Sequence, residues 1–420
     1  MLNLTYPTKP IIYQRNNSGF ALVKFSGLSD TAVTVKFSAL ENSGTDFSIT
    51  LPVNNAEFKA NVKVPQGLYQ VVVTNKSESK KLEYLGVGEV IVWSGHSFAD
   101  GYGIGSDTSP LAFFTENFWK RNDPDQYKKP EEVQRYLDNI RQETARGLPA
   151  RVASQMAEKL MVPVLFYHCA WGGTRMMDWA DAASGIKTGR EYAGYKQGYE
   201  DLGYPYAILG EALKTFVQET GCRGVLIIHG DNDRDKQFTQ NILLDGWKRL
   251  INKIRVDANF NLPVSLARSC IDPNFPEIIA STNQAIEQLP SMYYGPDLSQ
   301  MGASYRISDG LHLNDLGEIK VAQDWTSMLI SQNFFASNPK PTPTFTEITK
   351  IVQTTAAQIK DEANTSVAAI VIGLAFITIL AISLIAKFRW FLALVFTLLV
   401  AGISYLIGFT NLFGIKKSGS

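Results

Sequence analysis

The 420-residue chain is poor in cysteine and histidine and has no net charge. Its three cysteines, Cys169, Cys222 and Cys270, lie far apart, without the close spacing of a zinc site or a disulfide scaffold, and read as small buried hydrophobes. Lys and Arg total 40 and Asp and Glu total 40, so no global field draws the chain to nucleic acid, which is set aside as a partner. The first ten residues hold Lys9 but no apolar run behind it. This predicts no secretory signal and no export by the usual N-terminal route.

What is present divides into four stretches. Residues 1–85 carry short alternating runs, such as Phe20 to Phe25, Ala32 to Phe37, Phe58 to Val64 and Leu68 to Thr74, broken by Gly, Asn, Ser and Asp. Period-two alternation predicts antiparallel strands with one buried face, closed as a small β-sandwich. It serves either as a sugar-contacting module or as a spacer that covers its neighbour. In residues 86–335 near-continuous apolar runs (Val87 to Trp93, Val162 to Tyr167, Gly224 to Ile228, Leu262 to Ala267) alternate with helical patterns (Ala150 to Leu160, Tyr206 to Val217, Ile242 to Ile251). Buried parallel strands read this way, so an α/β layered domain with a parallel sheet is predicted, its ligand site beyond the carboxyl ends of the strands. Residues 336–365 open with a Pro/Thr-rich run that predicts an extended tether, followed by a polar, helix-compatible stretch. In 366–415 the runs Ser366 to Ala386 and Trp390 to Ile415 contain no charge, and each is long enough to cross about 30 Å of hydrocarbon as a helix. A C-terminal transmembrane hairpin, and so a lipid bilayer as partner, is predicted.

Three short segments carry candidate chemistry. In Trp93-Ser-Gly-His-Ser-Phe-Ala, Gly95 permits a sharp turn that presents the Ser97 hydroxyl at a strand end; alone, Gly-x-Ser is common. In Ile227-Ile-His-Gly-Asp-Asn-Asp a buried strand ends in polar side chains, and Asn232 is able to donate to a developing oxyanion; the alternative is an ordinary polar turn. In Ile307-Ser-Asp-Gly-Leu-His-Leu-Asn, Asp309 and His312 supply the base and its orienting carboxylate that a serine nucleophile requires. The chain has only His96, His168, His229 and His312, which makes that pair informative, although a capping Asp beside a surface His gives the same pattern.

In this order the segments resemble the sequence blocks of the SGNH hydrolases, over about residues 86–330. Cys169-Ala-Trp-Gly-Gly-Thr-Arg-Met-Met-Asp-Trp is similar to the corresponding stretch of the sialate O-acetylesterase and acetylxylan esterase group. The resemblance implies a three-layer, flavodoxin-like α/β domain acting as a serine esterase on acylated, chiefly O-acetylated, carbohydrate, with no metal or other cofactor. It implies Ser97 as nucleophile, His312 as base and Asp309 as its orienting acid. An oxyanion hole from the Ser97 amide, Gly172 or Gly173, and Asn232 follows from the same resemblance. The walls of the substrate cleft are then expected to include His96, Arg175, Asp178, Trp179, His229 and Asp231, with Trp179 equally compatible with a core position. Two departures stand out: His96 replaces the group's usual Gln, and His229-Gly-Asp-Asn replaces Gln-Gly-Glu-Ser. Glu191 to Glu200 and Tyr204-Pro-Tyr interleave tyrosines with polar residues, as sugar-stacking surfaces do and as packed loops also do.

Two spans put the folded portion and the tail on one side of the bilayer. Lys387 and Arg389 between the spans nearly balance Lys416 and Lys417 after them, so charge does not choose the side. A cytosol-facing domain, an outward-facing one, and one delivered within a larger or viral particle all stay open, as does the oligomeric state. The rival functions are a non-catalytic glycan-binding or structural protein and, among enzymes, a lipid or thioester hydrolase.

Overall fold

A computed structural model describes residues 1–101, 108–115, 138, 140–141, 146–187 and 199–345. The predicted hairpin at 366–415, most of the polar stretch before it, and the tyrosine-rich residues 191–198 lie outside the described residues. Among the described residues, no helix is long and apolar enough to cross a membrane. Residues 1–345 form one compact unit.

The first unit is organised around one strand, β8 (Ser79–Gly95). Its first half completes the sandwich: β7 (Gly67–Thr74) pairs with it antiparallel, and β2 (Ile11–Gln14) pairs parallel to Leu85 through Gly88. β7 in turn pairs with β4 (Val33–Leu40), and β4 with β5 (Phe47–Leu51). Facing them is a three-stranded sheet of β1 (Leu2–Tyr6), β3 (Phe20–Ser29) and β6 (Glu57–Pro65). The alternating residues Val23, Phe25, Val62 and Val64 of one sheet meet Val35, Phe37, Val71 and Val73 of the other, all buried. Each such side chain removed from water contributes roughly 1.5–3 kcal/mol.

The second half of β8 is the centre of a parallel sheet. β9 (Ala112–Thr115), β11 (Val164–Ala170), β8, β12 (Gly224–His229), β13 (Val264–Arg268) and β14 (Met292–Asp297) lie in that order, with β10 (Ile140–Arg141) antiparallel at the edge. Without the β9–β10 edge the order is 2-1-3-4-5, the winding of flavodoxin-like folds. Successive residues of β8 point to opposite faces, Val90 and Val92 toward one apolar layer and Ile91 and Trp93 toward the other. The first layer is built by the helices Met176–Ala183, Gln240–Ala258 and Pro276–Gln288, the second by Gly147–Leu160 and Asp315–Ser331. Five tryptophans are among the largest buried side chains, and their indole N–H groups are given acceptors within the core, Trp93 on Ala99 O, Trp179 on Thr174, Trp247 on Thr282 and Trp325 on Ser265 among them.

The boundary expected at residue 85 falls inside β8, so the sandwich and the α/β layers share a continuous backbone. Glu89, fully buried where the halves meet, is held by Arg15 at 2.8 Å, by Arg223 at 2.8 Å and by Gln14 at 2.9 Å. A buried carboxylate is costly without such partners, and here they come from both halves of the unit. The tether expected from residue 336 does not start there. Cys222 and Lys340 exchange backbone hydrogen bonds, Thr342 donates to Leu22 O at 2.9 Å, and the Phe345 amide donates to Asn61. Residues 336–345 are therefore laid along the folded body, held by polar partners that no composition signal reveals.

Candidate active site

The turns that follow β8, β11 and β12, three adjacent strands, converge at their carboxyl ends. The chain reverses there because Gly95 and Gly230 take φ of +143° and +140°, and because a Cβ on either would stand within 2.2 Å of a backbone oxygen (Ile228 O and Ser269 O). The turns are laced together: Trp171 N donates to Gly95 O at 2.9 Å and His96 N to Ile228 O at 3.1 Å. Asn232 donates from Nδ2 to Thr174 O at 3.0 Å, and Asp233 accepts from the Met176 and Met177 amides at 2.9 and 3.2 Å, capping that helix. Burial pushes the Asp233 carboxyl up to about 7, against the pull of those two amides.

Ser97, half-buried, emerges from the first turn. Its Oγ lies 2.9 Å from His312 Nε2, and His312 Nδ1 lies 2.6 Å from Asp309 Oδ2. Asp309 Oδ1 accepts from the Leu311 and His312 amides at 2.8 and 2.9 Å. Desolvation raises the Asp309 carboxyl, but the hydrogen bonds from the imidazole and the two amides outweigh it and hold the group below the usual carboxylate range. Asp309 is thus charged and accepts from the Nδ1–H tautomer, which leaves the Nε2 lone pair facing the Ser97 hydroxyl. Gly172, from the β11 turn, sits against Ser97: a methyl group there would be 3.8 Å from Ser97 Cα and Cβ. Gly173, at φ +78°, follows in the same turn, and Asn232 is bonded to that turn through Thr174 O.

The loop that carries Asp309 and His312 belongs to no strand. Arg306, 8% exposed, holds it by donating to the carbonyls of Met301 (3.2 Å), Leu298 (2.6 Å) and Leu311. Asn314 caps the following helix through Gly317 N at 3.0 Å and donates to Ser304 O at 2.8 Å. Nothing in the sequence marked Arg306, because its acceptors are backbone carbonyls that only the folded loop brings together. Asp100, whose Oδ2 accepts from the Gly172 amide at 3.3 Å, was also missed; its place three residues after Ser97, in one turn, is the signal that could have found it.

Several residues expected to line the cleft lie beneath it instead. Trp179 is fully buried with its indole bonded to Thr174, and Asp178 is spent on the Arg175 amide at 2.8 Å at the start of its helix. Asp231 is buried and accepts from Ile271 N at 2.9 Å and from Ser269. His96 and His229 pack edge to face 5.6 Å apart, both buried. Burial lowers His96 to about 4, against the opposing charge of Asp231, and drives His229 well below its ordinary value, so both are held neutral. Each lost its expected place because the strand ends turn these side chains inward, among Phe98 and Trp179. Arg175 remains partly exposed but straps one turn to the next, with Nε on Asn232 O at 3.1 Å and Nη1 3.4 Å from Asp235. Tyr204 and Tyr206 are buried, the latter donating to Asp257 at 2.9 Å, which settles the open alternative for that segment in favour of packing.

No protein-family model matches the sequence, and no curated protein does either. Among solved structures the chain is similar to a carbohydrate acetylesterase from Xanthomonas citri, at 12% identity and a TM-score of 0.47, covering 78% of this chain and 74% of that one. It is also similar to a family two carbohydrate esterase from Clostridium thermocellum, solved in complex with cellohexaose, at 14% identity and a TM-score of 0.38, with 75% and 94% of the two chains covered. A third is the salicylyl-acyltransferase SsfX3 of a tetracycline biosynthetic pathway, at 9% identity and a TM-score of 0.36, with 76% and 84% covered.

Proposed function

We propose that the protein is a serine ester hydrolase in which Ser97, His312 and Asp309 act as one unit. The observation that carries the reading is the unbroken chain from Ser97 Oγ to His312 Nε2 (2.9 Å) and from His312 Nδ1 to Asp309 (2.6 Å), standing at the carboxyl ends of parallel strands. In the first step Ser97 Oγ attacks the ester carbonyl while His312 Nε2 takes its proton, and Asp309 stabilises the imidazolium. The oxygen that becomes an anion is assigned to the Ser97 and Gly172 amides and the Asn232 side chain. His312 returns the proton to the departing alcohol, and the acyl-serine is then opened by a water that His312 deprotonates.

The finer reading is that the acyl group is acetyl and the alcohol a carbohydrate, supported by the resemblance of residues 169–179. A membrane tether through 366–386 and 390–415 is proposed on their uncharged, span-length sequences. The test is hydrolysis of 4-nitrophenyl acetate by the full chain beside Ser97→Ala. Turnover abolished by the substitution supports the reading; turnover unchanged by it would remove Ser97 from the reaction, and none from folded protein would move the assignment to a non-catalytic glycan-binding protein.

A further inference from the structure

Beneath the site a row of rings runs from one of its halves to the other. His312, Phe98, His96, His229 and Trp179 stand in that order, with neighbouring centroids 5.5, 5.1, 5.6 and 5.6 Å apart and planes inclined by 70°, 54°, 72° and 59°. Aromatic pairs attract one another at such separations and tilts. Phe98, His96, His229 and Trp179 are all buried. At one end stands the imidazole assigned the serine proton. At the other, Trp179 Nε1 donates to Thr174 Oγ1 at 2.8 Å, Thr174 Oγ1 donates to Trp171 O at 2.6 Å, and Thr174 O accepts from Asn232 at 3.0 Å. That end therefore holds the turn of Gly172 and Gly173, together with Asn232.

The two central imidazoles make little use of their polar atoms. His96 Nδ1 accepts from the Phe98 amide at 3.4 Å, whereas among the described residues neither His96 Nε2 nor either nitrogen of His229 meets a hydrogen-bond partner. Leaving such atoms unpaired in the interior lowers stability, so their retention asks for a reason. What both side chains do supply is a flat ring. Desolvation keeps both uncharged despite Asp231 near His96, so the row brings no second cation toward the imidazolium that forms at His312. Arg306, Asn314 and Asp309 bond to partners within 298–317, which fixes the shape of that stretch rather than its distance from the strand ends. Phe98, next to Ser97 on the strand-end turn, meets the His312 ring across that gap. We propose that Phe98, His96 and His229 are positioning residues: the row they form sets how far His312 stands from the turn of Gly172 and Thr174, and so holds the base and the oxyanion donors on one ester. This deepens the esterase reading and rests on it.

The experiment compares the full chain with Phe98→Leu, His229→Ala and His229→Phe, on 4-nitrophenyl acetate and on a fluorophosphonate. Labelling forms the Ser97 Oγ–P bond as P–F breaks and fluoride leaves, and the proton passes to His312. Its final extent, read by intact mass, counts competent sites, and its rate reports how well the base is placed. A misplacement of about 1 Å costs about 100-fold. Phe98→Leu, which keeps apolar bulk and loses the flat ring against His312, is therefore expected to lower kcat and the labelling rate by about 10- to 100-fold, with KM within about 2-fold and labelling still complete. His229→Ala, two rings further from the base, is expected to lower both by about 10-fold, and His229→Phe, which restores a ring without nitrogens, to recover most of that loss. A merely structural role would instead reduce the final extent of labelling and leave the rate per competent site unchanged. That result in Phe98→Leu overturns the proposal, even where His229→Ala fails to fold. A His229→Phe protein labelled to completion but as slowly as His229→Ala overturns it too, since the nitrogens and not the ring would then carry the effect. If the wild type neither turns over the ester nor labels, the esterase reading falls and the row with it; an active wild type matched by all three variants removes the row alone.

Discussion

The two halves of the site are built by different means. Ser97, Gly172 and Asn232 stand on turns that prolong β8, β11 and β12, and what fixes them is main chain: glycine conformations, backbone bonds between turns, and strands buried on both faces. Asp309 and His312 stand on a loop outside the sheet, fixed by the side chains of Arg306 and Asn314 clasping carbonyls. The Ser97 side is thus inseparable from the fold, whereas the Asp309–His312 side is adjustable without it. Substitutions on the first half are expected to act on stability, and those on the second on rate, unless they remove a reacting atom or a ring that supports one.

The largest effect expected is on Ser97→Ala or His312→Ala, either of which lowers kcat/KM by at least about 10⁴-fold with little change in thermal midpoint, since each removes the whole proton-transfer unit. Gly230→Ala comes next and tests the strand-end half: its methyl group would stand 1.9 Å from Ser269 O at φ +140°, and a loss of about 4 kcal/mol or more in urea unfolding is expected. A Gly230→Ala protein as stable as wild type would break the comparison. Acid lability follows. His168, buried with Nε2 2.8 Å from Ala99 O, is lowered by burial to about 4, so the unfolded chain binds its proton first as pH falls. Stability is complete above the unfolded value near 6.5 and is lost down to about pH 4, by roughly 3 kcal/mol for this group. His168→Gln, which keeps a donor for Ala99 O, is expected to flatten that limb of a stability-versus-pH curve measured by urea titration. The smallest effect sharpens the loop half: Arg306→Gln should cost about 10- to 100-fold in kcat while the thermal midpoint moves by a few degrees, and equal losses in Gly230→Ala and Arg306→Gln would erase the distinction drawn here.

Much of the strand-end half was legible in the sequence, because buried parallel strands advertise themselves as apolar runs and glycine marks where they turn. Val87 to Trp93, Val162 to Tyr167 and Gly224 to Ile228 became β8, β11 and β12, and Asp309 and His312 were readable as a local pair. What was not legible depends on direction. His96, His229 and Asp231 follow the same strands, yet their side chains turn inward, and no spacing rule states which way a residue faces just past a strand end. Nor did composition show that one strand serves both halves of the first unit, since alternation in 79–85 and continuous burial beyond Leu85 look like two strands until a backbone joins them. The docking of 336–345 hides for a related reason, since Lys340, Thr342 and Phe345 hold on through Cys222, Leu22 and Asn61, all far away in the chain.

The central claim, that Ser97 is activated by His312, is tested most directly by incubating the full chain with a fluorophosphonate and mapping the adduct by peptide mass spectrometry. One adduct per chain, on Ser97 and lost in His312→Ala, is the predicted result; no adduct at Ser97, or the same labelling rate without the imidazole, would contradict it.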